Sequence, residues 1–205
     1  HHIAAEDLEG AILSSVVPPL NAVITEAVRK VTGLACKLVG AGMKTGMNIR
    51  MDDPKHIGSD LIVDSVAAKA NYPLPIIVID MGTATSITAL DQNGDYVGGI
   101  IHPGLRVSLN TLSGSTAQLP SIDLESPGRA LAKNTIEAMQ SGILYGTAGM
   151  LDGIITRMEA ELGSKATIVA TGGLARFVTP LCAHRIEIDD LLLLKGLLIL
   201  YRKNS

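Results

Sequence analysis

Aromatic side chains are almost missing from this chain of 205 residues, which holds four Tyr, one Phe and no Trp. Proteins that grip single-stranded nucleic acid stack bases on aromatic platforms, and none can be assembled here. A surplus of positive charge is missing too. The formal net charge is -3 with a pI near 5.9, so there is no electropositive footprint for a nucleic-acid backbone. Cysteine is scarce: Cys36 and Cys182 stand alone, without pairing pattern or metal-like spacing. Two isolated thiols fit a reduced cytoplasm better than a secreted, cross-linked fold. The longest apolar run, Leu191 to Tyr201, is interrupted by Lys195 and is far too short to span a bilayer. No signal-peptide pattern is found either. Nucleic acid and membrane are therefore set aside as partners, and a cytoplasmic location is expected.

What is present is aliphatic. The chain is 47% hydrophobic and 18% charged, the composition of a compact globule whose core must come from Leu, Ile, Val, Ala and Met. A β-rich stretch from Gly10 to Val17 ends at Pro18-Pro19, and an amphipathic helix follows over Leu20–Thr32, with Val23, Ala27, Val28 and Val31 on one face. Gly33 suits its C-terminus. A short strand over Leu34–Val39 completes a β-α-β opening, and a Gly-rich loop leads to a helical pattern from Lys55 to Ala70. Pro73 and Pro75 break that pattern and mark a hinge between residues 1–74 and 75–205.

The four residues Ile76 to Ile79 are apolar at every position, as in a central strand covered on both faces. The strand turns at Gly82-Thr83, returns from Ser86 to Asp91, turns again at Asn93-Gly94 and runs from Tyr96 to Ile101, an antiparallel meander. Further on, Asn134 with Glu137 resembles a capping box opening a long helix to Leu162. Gly142, Gly146, Ala148, Gly149 and Gly153 lie along that helix, and close approach of another helix, in this chain or across a dimer, is the expected reason. A strand from Ala166 to Ala170, a strand near Arg185–Ile188 and a last helix after Asp189-Asp190 complete the pattern.

The chemistry centres on Asp80-Met81-Gly82-Thr83-Ala84-Thr85. A carboxylate at the tip of a central strand can hold a cation beside phosphate oxygens. Gly82 lets the backbone approach a phosphate closely, and backbone N–H groups with the Thr83 and Thr85 hydroxyls can donate to it. The bland alternative is a polar hairpin tip. Thr171-Gly172-Gly173 after a buried strand permits flat contact with a planar ligand such as adenine, although two glycines there are often only a turn. Asp60, in Gly58-Ser59-Asp60, reads on its own as a helix-start carboxylate favoured by the dipole. Thr135 reads as an ordinary helix-start residue, and His102 before Pro103-Gly104 as structural.

The order of these motifs resembles type III pantothenate kinases. It runs through Pro54, Gly58-Ser59-Asp60, Asp80 to Thr85, Gly98-Gly99-Ile100-Ile101-His102-Pro103-Gly104, Asn134-Thr135-Ile136-Glu137 and Thr171-Gly172-Gly173. Asp190 to Leu197 continues it. The resemblance covers the chain from about Ile12 onward. It implies an α/β, actin-like and ribonuclease H-like ATPase fold of two related halves with ATP between them. The implied reaction is ATP-dependent phosphorylation of pantothenate by a homodimer that uses magnesium and a monovalent cation, potassium or ammonium. By the same resemblance Asp60 is the general base and Gly58, Ser59, Asp60, Leu61 and Thr135 contact pantothenate. Gly82, Thr83, Thr85, Gly172 and Gly173 serve ATP, and Asp80 is the monovalent-cation ligand.

Two departures from the family pattern stand out. Leu61 replaces the Arg that follows the basic Asp in most members, and it cannot pair with a substrate carboxylate; Lys55 or Arg106 is a candidate substitute. The family's opening Asp-x-Gly-Asn-Thr strand is not found before Ile12, so the N-terminal half is expected to be truncated at its start. A non-catalytic nucleotide-binding relative, and a kinase of the same fold acting on another small hydroxyl compound, are the competing readings.

Overall fold

The computed structural model describes residues 4–205. Its organising element is the expected apolar strand, now β3 (Ile76–Met81), which pairs antiparallel with β4 (Ala84–Leu90) and parallel with β6 (Thr167–Thr171). With β5 (Tyr96–Pro103) on one edge and β7 (Glu187–Ile188) on the other, the sheet order is β5-β4-β3-β6-β7. The order explains the composition of β3: a strand in the middle, covered on both faces, has no position for a polar side chain until its end. Ile76, Ile77 and Ile79 are fully buried, and each contributes roughly 1.5–3 kcal/mol of burial free energy.

Each face of the sheet has its own cover. The alternation along β3 sends Ile76 and Val78 to one side, with Leu90, Tyr96 and Val169, under α2 (Ser59–Asn71) and α6 (Leu192–Lys203). Ile77, Ile79 and Met81 go to the other, under α4 (Thr135–Leu162) and the short α5 (Ala175–Val178). The long helix begins as its sequence indicates: the Asn134 side chain accepts from the Glu137 backbone N–H at 2.9 Å. Glu137 does not close the box on Asn134. Its carboxylate takes the Lys133 N–H at 3.2 Å and the Arg129 guanidinium at 3.4 Å instead.

The β-α-β opening is present, with shorter strands than the sequence suggests. β1 (Ala11–Leu13) and β2 (Cys36–Leu38) form a separate parallel pair around α1 (Pro18–Thr32), which ends at Gly33 in the left-handed conformation. The apolar face expected on α1 is not covered: the helix has no buried residue, and Val23 and Val31 are largely exposed. The small-residue stripe on α4 does not meet a helix of this chain. Nothing lies within 4 Å of where a Cβ would stand at Gly142, Gly146 or Gly149, so among the described residues no helix packs against them.

One element has no counterpart in the sequence reading. α3 (Leu105–Gly114) follows the Pro103-Gly104 stop, and buries Leu105 and Leu109 one turn apart. Among the described residues, no helix is long and apolar enough to cross a membrane.

Candidate active site

The N-terminal turn of α2 meets the sheet near the end of β3. Gly58 is the helix N-cap, and Asp60 stands in the first turn, where the helix dipole favours its negative charge. Beside it is a cavity of about 190 Å³ whose lining includes Ile57, Gly58, Leu61, Thr88, Tyr96 and Gly99. The cavity is largely apolar, and Leu61 is part of its wall. Ser59, expected to contact substrate, spends its hydroxyl on the segment that follows β1: it pairs with the Ser14 hydroxyl at 2.8 Å and donates to the Ser15 carbonyl at 3.2 Å. It fastens the start of α2 in place.

Asp80 is the first polar residue of β3 and lies half-buried near its end. Register places it on the α2 face, in a row with Ser86 of β4 and Thr171 of β6. Burial, reinforced by the charge of Asp60, raises its carboxyl above the usual range. After it the chain turns through Gly82 and Thr83, both exposed. The Gly104 N–H donates to the Thr83 carbonyl at 3.1 Å, and a side chain at Gly104 would overlap the Gly82 and Thr83 carbonyls. The Pro103-Gly104 stop therefore buttresses this tip from behind. His102 is on the same strand end, with Nδ1 2.8 Å from the Pro103 carbonyl.

Thr85 is placed differently from expectation. It pairs with Met81, so its side chain faces α4 and not α2; it is 1% exposed, and its hydroxyl has no hydrogen-bond partner. In this geometry its hydroxyl does not share the face that carries Asp80 and Ser86, because strand alternation sends it to the opposite one.

Gly172 and Gly173 follow β6. Gly172 has a φ of 92°, and a Cβ there would come within 2.7 Å of the Met81 carbonyl oxygen, so only glycine lets the β6 end lie flat on the β3 end. Gly173 has open space in front of it. Thr135 is exposed at the start of α4 and does not line the cavity beside Asp60. Arg106 is exposed in the first turn of α3 and is likewise not part of that lining, while the Lys55 side chain lies outside the described residues.

Sequence reasoning missed Asp64. It is four residues after Asp60, hence on the same face of α2, and only 2% exposed. Burial, then the charges of Asp80, Asp60 and Asp189, push its carboxyl up to about 8. The i, i+4 spacing was visible in the sequence, but only the docking of α2 onto β3 makes Asp64 an interior group.

The sheet order and the two covered faces define the protein's class, an actin-like, ribonuclease H-like ATPase fold. Solved structures agree. A protein described as a Baf family transcriptional activator from Campylobacter jejuni superposes with a TM-score of 0.63 at 17% identity, over 98% of this chain and 86% of that one. The activator of 2-hydroxyisocaproyl-CoA dehydratase from Clostridium difficile, solved with bound ADPNP, gives 0.50 at 17% identity, over 89% and 80%. The sequence narrows the class further. The type III pantothenate kinase family model matches residues 1–157. The type III pantothenate kinase of Moorella thermoacetica is 44% identical over 98% of this chain and 79% of its own length, and that of Listeria monocytogenes 40% identical over 100% and 79%. The chain belongs to the type III pantothenate kinase family.

Proposed function

We propose that this chain transfers the γ-phosphoryl group of ATP to the primary hydroxyl of pantothenate, the first step toward coenzyme A. The observation that carries the reading is Asp60, held in the first turn of α2 between Gly58 and Leu61, which line an apolar cavity that Asp60 itself does not line, and close enough to the tip of β3 to act on the Asp80 carboxyl.

The roles follow from position. Asp60 takes the proton of the pantothenate hydroxyl as its oxygen bonds to the γ-phosphorus, and the bond from that phosphorus to the β-phosphate bridging oxygen breaks. The exposed backbone at Gly82 and Thr83 faces the phosphates, and Gly172 and Gly173 lie along the nucleotide. Gly58 and Leu61 line the substrate cavity, and Thr135 contributes from the start of α4. Residues 1–74 and 75–205 act as the two halves around the nucleotide.

Magnesium accompanies ATP, and a monovalent cation, potassium or ammonium, offsets phosphate charge when bound. The residues fit such a cation: Asp80 is half-buried and, among the described residues, has no ion-pair partner. The open glycine stripe on α4, at Gly142, Gly146 and Gly149, is the surface through which we expect two copies to meet as a homodimer.

The test is phosphorylation of pantothenate by the purified protein, with the family's opening Asp-x-Gly-Asn-Thr strand restored ahead of residue 1, in ATP, magnesium and potassium. Asp60→Asn is expected to lower turnover by roughly 10²–10⁴-fold. Near-normal turnover in that variant removes Asp60 as the base. Binding of ATP and pantothenate without turnover, even with the family's opening strand restored ahead of residue 1, favours a non-catalytic relative, in keeping with Leu61.

A further inference from the structure

We propose that Asp64 is the second carboxylate of the monovalent-cation seat to which Asp80 belongs, so that one cation is held between α2 and the end of β3. The proposal rests on the reading of Asp80 as a cation ligand.

The starting observation is an oxygen with nothing to bind. Asp64 Oδ1 is fully shielded from solvent and has no hydrogen-bond partner, on a residue 98% buried. Buried polar atoms are almost always paired, and a buried carboxylate oxygen without a partner is costly. Among the described residues, the charged groups that act on Asp64 are all acids. Asp60 precedes it by one helical turn, Asp80 faces it from β3, and Asp189 faces it from the start of α6. The Lys195 ammonium on α6 is spent on Asp189 at 2.7 Å, and the Tyr72 hydroxyl, just beyond the end of α2, donates to the same carboxylate at 3.0 Å. Tyr96 of β5 adds only a phenol. Among the described residues no cation pairs with Asp64, so a positively charged ligand from outside the chain would give Oδ1 its partner and displace the proton the carboxyl otherwise keeps.

The chemistry of the donors selects the ligand. Ser86 and Thr171, buried to either side of Asp80 on the same face, add hydroxyl oxygens to two carboxylates. An all-oxygen set suits a hard cation and not a thiophilic one. Among the described residues no group of three or more His, Cys, Asp or Glu comes together as a metal cage, which argues against a divalent ion in a closed site. Two carboxylates and neutral oxygens match a singly charged ion. Such an ion would let Asp64 remain buried and ionised beside Asp60 and Asp80.

The test is the melting temperature of the purified chain as potassium chloride replaces choline chloride at fixed ionic strength, without nucleotide. The unaltered chain is expected to melt higher in potassium, with a saturable dependence. Asp64→Asn is expected to weaken the apparent potassium affinity at least tenfold, and Asp64→Ser provides the same comparison should the amide fail to fold. Identical melting of the unaltered chain in both salts overturns the proposal, as does a potassium response that either variant retains in full. A chain that responds to potassium through Asp64 but leaves pantothenate unphosphorylated keeps this site and removes the proposed function. An active chain whose potassium response ignores Asp64 does the reverse.

Discussion

Gly196 of α6 lies directly against the backbone of Val63 on α2, so closely that a methyl group at Gly196 would overlap the Val63 carbonyl. Two helices can share one sheet face at this spacing only if one of them has no side chain at the crossing. Gly196→Ala should therefore destabilise the protein by about 1–3 kcal/mol through overpacking. That exceeds the gain of up to about 1 kcal/mol that alanine brings to a helix interior. Urea denaturation at neutral pH measures the difference, and a stabilised variant would show that the helices can move apart freely.

Gly172→Ala should act on the site as well as on stability. Its φ of 92° and its approach to Met81 leave no conformation for a side chain without displacing the end of β6 from β3. A loss of about 1–3 kcal/mol is expected from the backbone alone. Because the same turn leads to Gly173, the KM for ATP should rise in steady-state kinetics; an unchanged KM would separate this turn from the nucleotide.

Leu61→Arg should restore a positive charge to the wall of the cavity beside Asp60. One charge-assisted hydrogen bond to a substrate carboxylate contributes about 1.5–3 kcal/mol, so the KM for pantothenate should fall about tenfold or more with little change in kcat. An unchanged KM would mean that the carboxylate binds elsewhere.

Two aspartates should give opposite pH dependences. Burial raises the Asp189 carboxyl, but the Lys195 ammonium, the Tyr72 hydroxyl and the Leu191 N–H outweigh it and hold the group below its ordinary value. Its folded state thus binds fewer protons, and its stabilisation is present above the unfolded value of about 3.9 and lost as pH falls through the folded one. Asp189→Asn should lower stability at pH 7 and flatten the acid loss. Asp64, pushed up to about 8, holds a proton in the folded state that the unfolded chain releases. Its effect is a stability that falls as pH rises from about 4 to about 8. Asp64→Asn should remove that fall in potassium-free buffer, as read by urea midpoints at pH 5 and pH 8.

The sheet was legible because its signals are local. A short Ile- and Val-rich run between Pro75 and Gly82 reads as a covered strand, Asn93-Gly94 can turn a hairpin, and Asn134, Gly33 and Gly163 mark helix ends wherever the helices pack. The failures share one cause: they depend on what faces what across the fold. α3 is rich in Ser, Asn and Thr and becomes a helix because Leu105 and Leu109 find a core. The α4 glycines left open whether their neighbour lay in this chain or across a dimer, and among the described residues they face outward. Thr85 is one residue from the row that carries Asp80, and that single step in register sends it through to the other side of the sheet. Of the candidate site, Asp60, Asp80 and the Gly82-Thr83 tip were readable as motif. Asp64 was not, since nothing in its own sequence says that it will be buried.

The last helix also sets the order in which this protein can be completed. α6 fills the crossing with α2 and reaches the opening segment, where the Tyr201 hydroxyl donates to the Glu9 carbonyl at 3.1 Å and Asn204 exchanges hydrogen bonds with Lys44 at 2.8 and 3.1 Å. During synthesis the meander of β3, β4 and β5 can assemble on α2 as soon as it emerges, but this face of the sheet stays only partly covered until α6 has followed. Nascent chains paused before α6 should therefore be the species most in need of a chaperone.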